Sequence, residues 1–88
     1  MNKVVIYTAV PCGYCSAAKR FFAARNIPFQ EIDLTGDHEA RARLSERTRQ
    51  RTVPQIFIGD AHVGGYSDLM DLHRTVGVDS LLNEIPGT

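Results

Sequence analysis

The residues with the greatest chemical capacity in this chain are Cys12 and Cys15, its only cysteines, within Val10-Pro11-Cys12-Gly13-Tyr14-Cys15. Thiols separated by two residues can close a small disulfide ring and reopen it by exchange with an outside thiol. Exchange needs a thiolate, and an ordinary cysteine is only a few per cent ionised near neutral pH. Position must supply the difference. Lys3-Val4-Val5-Ile6-Tyr7-Thr8 is apolar and β-branched and predicts a strand, whereas Ser16-Ala17-Ala18-Lys19-Arg20-Phe21-Phe22 predicts a helix. The dithiol therefore falls where a strand ends and a helix begins. With the helix starting near Gly13, Cys12 occupies its N-terminal edge, where unpaired N–H groups and the helix dipole favour an anion. The dipole contributes at most about 2 kcal/mol. Direct hydrogen bonds from N–H groups such as those of Tyr14 and Cys15 must add to it. Cys15 lies one turn further in on the same face. The expected roles are Cys12 as nucleophile and Cys15 as resolving thiol.

Other uses of paired cysteines fit less well. A structural disulfide suits secreted domains, which at this size usually carry more bridges. A self-contained zinc site needs about four ligands, and His38, His62 and His73 are too widely spread for the usual His-x3–5-His spacing. The 88 residues have room for one core, so the expectation is a single domain over 1–88. A hydrophobic fraction of 43% is ordinary for a globular protein, and no apolar run reaches membrane-spanning length. The N-terminal segment enters a strand at once and lacks the long apolar centre of a signal peptide. Formal net charge is zero, so no global field points to nucleic acid or to an acidic membrane.

The elements that must position the dithiol follow in order. Pro11 cannot extend strand bonding and suits a loop into a helix start. The first helix is expected from Gly13 to about Arg25, with Ala18, Phe21, Phe22 and Arg25 on one face and Lys19 and Arg20 outward. Asn26 suits a left-handed C-terminal residue, and Pro28 stops continuation. Phe29–Leu34 predicts a second strand, with Phe29 and Ile32 or Leu34 facing opposite layers. Asp37 is a credible N-cap for a second helix over His38–Thr48, whose only apolar stripe is Ala40 and Leu44. Its run of arginines, Arg41, Arg43, Arg47, Arg49 and Arg51, reads mainly as a solvated face. Thr52–Ile58 predicts a strand opened by Pro54, Gly59-Asp60 a two-residue turn, and Ala61–Val63 a short partner strand. Ser67 or Asp68 is expected to cap a third helix, lined inside by Leu69, Leu72 and Val76 and closed by Gly77. Asp79 is expected to cap a last short helix carrying Leu81, Leu82 and Ile85, with Pro86–Thr88 frayed. The order β-α-β-α-β-β-α gives an α/β fold, a four-stranded mixed sheet flanked by helices on both faces.

Three segments carry a resemblance across nearly the whole chain: Cys12-Gly13-Tyr14-Cys15, Thr52-Val53-Pro54-Gln55-Ile56-Phe57-Ile58, and Gly64-Gly65-Tyr66-Ser67-Asp68-Leu69. In this order and at these separations the chain resembles a glutaredoxin of the dithiol class, in particular the compact bacterial form called glutaredoxin 3. The resemblance implies a thioredoxin fold and a cytoplasmic oxidoreductase with a redox-active disulfide centre. Such an enzyme uses glutathione as co-substrate to reduce protein disulfides and protein–glutathione mixed disulfides, in electron transport and cell redox homeostasis. Cys12 matches the attacking cysteine and Cys15 the resolving one. Tyr14 matches the aromatic beside the glutathione groove. Thr52-Val53-Pro54 matches the loop whose proline is cis, with Val53 offering its backbone to the cysteinyl unit. Gly65, Ser67 and Asp68 match the segment that receives the γ-glutamyl end, and Gln50 and Arg51 match positions that hold the glycyl carboxylate. Partners implied are glutathione, disulfide-containing or glutathionylated proteins and, indirectly, glutathione reductase. Neither nucleic acid nor membrane is expected as a partner, and the chain is expected to be a monomer.

The chain departs from the family's commoner pattern at two places. Gly13 stands where the usual motif has proline, and Ala9 where many members carry a lysine. The first departure opens an alternative, because some glutaredoxins lacking that proline bridge a [2Fe–2S] cluster between two subunits through the first cysteine, here Cys12, and bound glutathione. A second alternative is a redoxin reduced by thioredoxin reductase. The tryptophan-containing segment of such proteins has no counterpart, since the chain has no Trp.

Overall fold

A computed structural model of the protein describes residues 1–83. Strand β1 (Val4–Thr8) is followed by helix α1 (Gly13–Ala24), strand β2 (Phe29–Asp33) and helix α2 (His38–Thr48). Strands β3 (Gln55–Ile58) and β4 (Ala61–Gly64) form a hairpin, and helices α3 (Tyr66–Thr75) and α4 (Asp79–Leu82) complete the order. The four strands lie in the order β2-β1-β3-β4. β1 runs parallel to β2, with Val4 opposite Phe29, and antiparallel to β3, with Val4 opposite Ile58. The expected four-stranded mixed sheet with flanking helices is the fold observed.

Alternation along β1 divides the core into two layers, because successive strand side chains point to opposite faces. Val4 and Ile6 face α1, α3 and α4, where they join Ala18, Phe21, Phe22, Ile56, Ile58, Leu69, Val78 and Leu82. Val5 and Tyr7 face the other way, against Phe57, Leu34 and Leu44, beneath α2. Phe29 packs on the first layer while Ile32 and Leu34 serve the second. Both Phe21 and Phe22 are buried, their rings edge to face at 5.2 Å. Arg25 lies exposed at the rim of that face, its guanidinium 3.7 Å above the Phe21 ring.

Helix ends follow their local chemistry. Asn26 takes the left-handed conformation at φ 57°, with its N–H bonded to Ala23 O and the Ile27 N–H to Phe22 O, which satisfies carbonyls the helix leaves open. The Asp37 carboxylate accepts from the Ala40 N–H at 3.0 Å and caps α2. At the other end of α2, Arg49 is left-handed at φ 61°. The buried Thr48 hydroxyl lies 2.9 Å from Leu44 O and accepts from the Gln50 N–H at 3.2 Å. That turn delivers Gln50 to the next loop.

Four expectations are corrected. The third strand starts at Gln55 rather than Thr52, because the Thr52–Pro54 segment forms a loop around the cis Val53–Pro54 bond. Gly65, not Ser67 or Asp68, is the N-cap of α3, and the Asp68 carboxylate reaches back to accept from its N–H at 2.9 Å. Val76 is 68% exposed, since the helix ends at Thr75 and Gly77 turns the chain at φ 82°. Val78 rather than Asp79 precedes α4 as its cap. Ile85, expected on the last helix, and Pro86–Thr88, expected to fray, lie outside the described residues.

Candidate active site

The loop after β1 ends at Cys12, which is the N-cap of α1 with extended backbone, φ −160° and ψ 105°. Its Sγ accepts the Cys15 N–H at 3.1 Å, one of the two donors expected there, and its S–H points to Val53 O at 3.5 Å. A sulfur at this position takes the place of the side-chain oxygen that usually satisfies a helix's first N–H groups. When the thiol ionises, the Cys15 N–H and the helix dipole act on the charge, whereas the Val53 carbonyl loses its donor. Both thiols are free.

Cys15 differs sharply in environment. It is only 3% exposed, and burial, reinforced by its hydrogen bond with Cys12, pushes its thiol up to about 11. A thiolate there would be stripped of water while facing a second sulfur. Of the two sulfurs, the partly exposed Cys12 is the one an outside molecule can reach.

Beside Val53 lies a groove of about 440 Å³, lined by Tyr14, Gln50, Thr52, Val53, Pro54, Gly65, Tyr66, Ser67 and Asp68. Three separate stretches of chain meet here: the start of α1, the loop before β3, and the β4–α3 junction. Tyr14, 68% exposed, stacks on Tyr66 with ring centroids 5.9 Å apart, and both line the groove. A Cβ on Gly65 would lie 3.6 Å from Pro54 O, so the two walls are already close at that point. Gly64 is tighter. At φ +110° its Cβ would fall 2.4 Å from Asp68 Oδ2, so only glycine lets the carboxylate sit under the turn.

The groove thus gathers eight of the nine residues assigned by resemblance to a glutathione site: Tyr14, Gln50, Thr52, Val53, Pro54, Gly65, Ser67 and Asp68. Arg51 is exposed and outside the lining, and its carbonyl is turned to Arg41 Nη2 at 3.4 Å. Sequence reasoning missed Gln55 and His62, which stand behind the wall rather than in it. A signal was present: Gln55 is the one polar residue in an otherwise apolar strand, and all four residues of β3 are buried. The [2Fe–2S] alternative draws its ligands from two subunits, each giving Cys12 and a bound glutathione, and the geometry of one chain gives it no support. Among the described residues no three His, Cys, Asp or Glu side chains converge on a point.

A thioredoxin-like sheet with a Cys-x-x-Cys pair at its first helix and a cis proline facing it is the architecture of thiol–disulfide oxidoreductases. A profile of the glutaredoxin family matches residues 4–63. The chain is 46% identical over 83 residues to a glutaredoxin of Pseudomonas aeruginosa, covering 94% of this chain and 99% of that one. It is 40% identical over 82 residues to glutaredoxin 3 of Escherichia coli, covering 93% and 99% of the respective chains. In structure it is similar to glutaredoxin from Brucella melitensis, with TM-score 0.82, 46% identity and coverage of 93% and 89%. It is also similar to buckwheat glutaredoxin in a complex with glutathione, with TM-score 0.81, 37% identity and coverage of 92% and 76%. The chain belongs to the glutaredoxin family. Members of this family are generally thiol–disulfide oxidoreductases that use glutathione. No helix among the described residues is long and apolar enough to cross a membrane.

Proposed function

We propose that this chain is a glutathione-dependent thiol–disulfide oxidoreductase that reduces protein–glutathione mixed disulfides and protein disulfides. The observation that carries the reading is the Cys12 sulfur at the head of α1, bonded to one N–H and 3.5 Å from Val53 O on the groove wall. Glutathione lies in the groove with its cysteinyl unit against the Val53 backbone, its γ-glutamyl end toward Gly65, Ser67 and Asp68, and its glycyl carboxylate toward Gln50 and Thr52. Arg51 adds charge near that end.

The Cys12 thiolate attacks the glutathionyl sulfur of a mixed disulfide. One S–S bond forms and one breaks, and the protein thiolate leaves and takes up a proton. A second glutathione thiolate then attacks the glutathionyl sulfur bound to Cys12, releasing oxidised glutathione and the Cys12 thiolate. With a protein disulfide, Cys12 instead forms a mixed disulfide with the protein. Cys15 attacks the Cys12 sulfur, expelling the second protein thiol and leaving a Cys12–Cys15 disulfide for two glutathiones to reduce. Cys15 must give up its proton as it attacks, which its raised ionisation range slows. The buried thiol therefore waits until Cys12 is already oxidised.

The working unit is a monomer, a single domain over 1–88, in the cytoplasm, where a reduced glutathione pool and glutathione reductase sustain the cycle. The test is turnover of a small glutathione mixed disulfide coupled to glutathione reductase and NADPH. Cys15→Ser is expected to retain it and Cys12→Ser to lose it. No turnover in the native chain would overturn the reading.

A further inference from the structure

Gln55 is fully buried in β3, and its amide meets partners at both ends. Its Nε2 lies 3.0 Å from Thr52 O, 3.3 Å from Thr52 Oγ1 and 3.0 Å from Gln50 Oε1, while its Oε1 lies 2.7 Å from His62 Nε2. A backbone carbonyl can only accept. The amide nitrogen of Gln55 must therefore face Thr52, whichever way the terminal atoms are drawn. Two consequences follow in opposite directions along the chain of bonds. Toward β4, Gln55 Oε1 faces His62 and needs a donor, so His62 carries a proton on Nε2. Its ring is held there by packing on Phe57, with centroids 4.9 Å apart. Toward the groove, one N–H of Gln55 goes to Thr52 and the other to Gln50. The atom of Gln50 that meets it must be an acceptor, its oxygen. The Gln50 –NH2 is then turned away from Gln55, on a residue that lines the groove.

We propose that Gln55, anchored by His62, is a positioning residue that presents the Gln50 amide nitrogen to the groove and so makes this wall a donor for a ligand carboxylate. Without Gln55, Gln50 could rotate by half a turn about its last bond and present an oxygen, which repels an anion. The relay thus sets the polarity of a neutral side chain without a charge. It rests on the glutathione reading, in which the glycyl carboxylate is the group that meets Gln50.

The experiment compares two mixed disulfides of one small thiol, with glutathione and with γ-glutamylcysteine, which lacks only the glycyl unit. A hydrogen bond to a charged group is worth enough that the native chain should favour the glutathione form by about tenfold in kcat/KM, through KM. Gln55→Leu is expected to bring that preference close to unity, with kcat and the rate on the γ-glutamylcysteine substrate retained. If Gln55→Leu does not fold, Gln55→Met, closer to glutamine in shape but with no amide, carries the same test. Nitrogen-15 NMR of the native chain should show neutral His62 as the Nε2–H tautomer, a state that a merely packed histidine need not adopt. A full preference in either variant, or an Nδ1–H tautomer, overturns the relay. No turnover in the native chain on either substrate would instead overturn the glutathione reading, with the His62 tautomer still deciding how the amides point.

Discussion

Replacing Gly64 by alanine tests how the groove's acidic end is built. The new Cβ falls 2.4 Å from Asp68 Oδ2 and 2.9 Å from Asp68 Cγ, so the carboxylate must swing out and release the Gly65 N–H. A side chain at φ +110° adds backbone strain of about 1–3 kcal/mol. The lost helix-start bond adds about 0.5–2 kcal/mol. The expected total is about 1.5–5 kcal/mol, which for a domain of this size lowers Tm by roughly 6–40 °C. Urea unfolding under reducing conditions would measure Gly64→Ala, Asp68→Ala and the double variant. Gly64→Ala already breaks the bond that Asp68→Ala removes, so the double variant should be less unstable than the sum by about 1 kcal/mol. Strict additivity, or a Gly64→Ala chain melting within about 2 °C of the native one, would refute the reasoning. Under the glutathione reading the single variant also raises KM more than it lowers kcat.

Two further outcomes are expected. The Cys15 thiol, raised by burial from 9.0 to about 11, gives the fold an alkaline weakness. Below about pH 9 both states are protonated and its stability contribution is complete, whereas from about pH 9 to 11 only the unfolded chain releases the proton. Stability should therefore fall by up to about 2–3 kcal/mol over that window, and Cys15→Ala should remove this part of the slope in urea titrations run in reductant. An unchanged slope in Cys15→Ala would contradict the assignment. Thr48→Val strips the Gln50 N–H of its partner and should cost about 1–2 kcal/mol by thermal unfolding, with glutathione KM rising as Gln50 loosens.

Much of this architecture was legible from local signals. Alternation in β1, the Phe21–Phe22 pair and the Asp37 cap each have a cause within a few residues, and each element appears where those causes place it. The misses arise where a neighbouring residue's side chain or backbone conformation outweighs a residue's own propensity. Asp68 looked like an N-cap because its type suits that position, yet Gly64 and Gly65 let the chain turn earlier and leave Asp68 to reach back. Val76 continues the spacing of Leu69 and Leu72, but the helix stops before it. Thr52 looked like strand, whereas its carbonyl is taken by the Gln55 side chain rather than by a neighbouring strand. For the candidate site, the dithiol and most of the groove lining were identifiable from residue type and resemblance. The Gln55–His62 contact was not, because it joins two strands across a hairpin and depends on a buried amide's orientation.

The strand order has a consequence for how the thiols fare while the chain is being made. β1 lies at the centre of the sheet, yet its antiparallel neighbour β3 comes some fifty residues later, with Val4 opposite Ile58. Pairings that span such a loop form late in folding. Cys12 and Cys15 leave the ribosome together and long before the groove residues of α3. Until the fold is assembled Cys15 is not buried, and the reluctance to ionise that burial gives it does not yet exist. The distinction between one reactive and one reserved sulfur is a property of the finished fold. A nascent or locally opened chain carries two ordinary thiols, equally open to oxidation and to cross-linking with a neighbour.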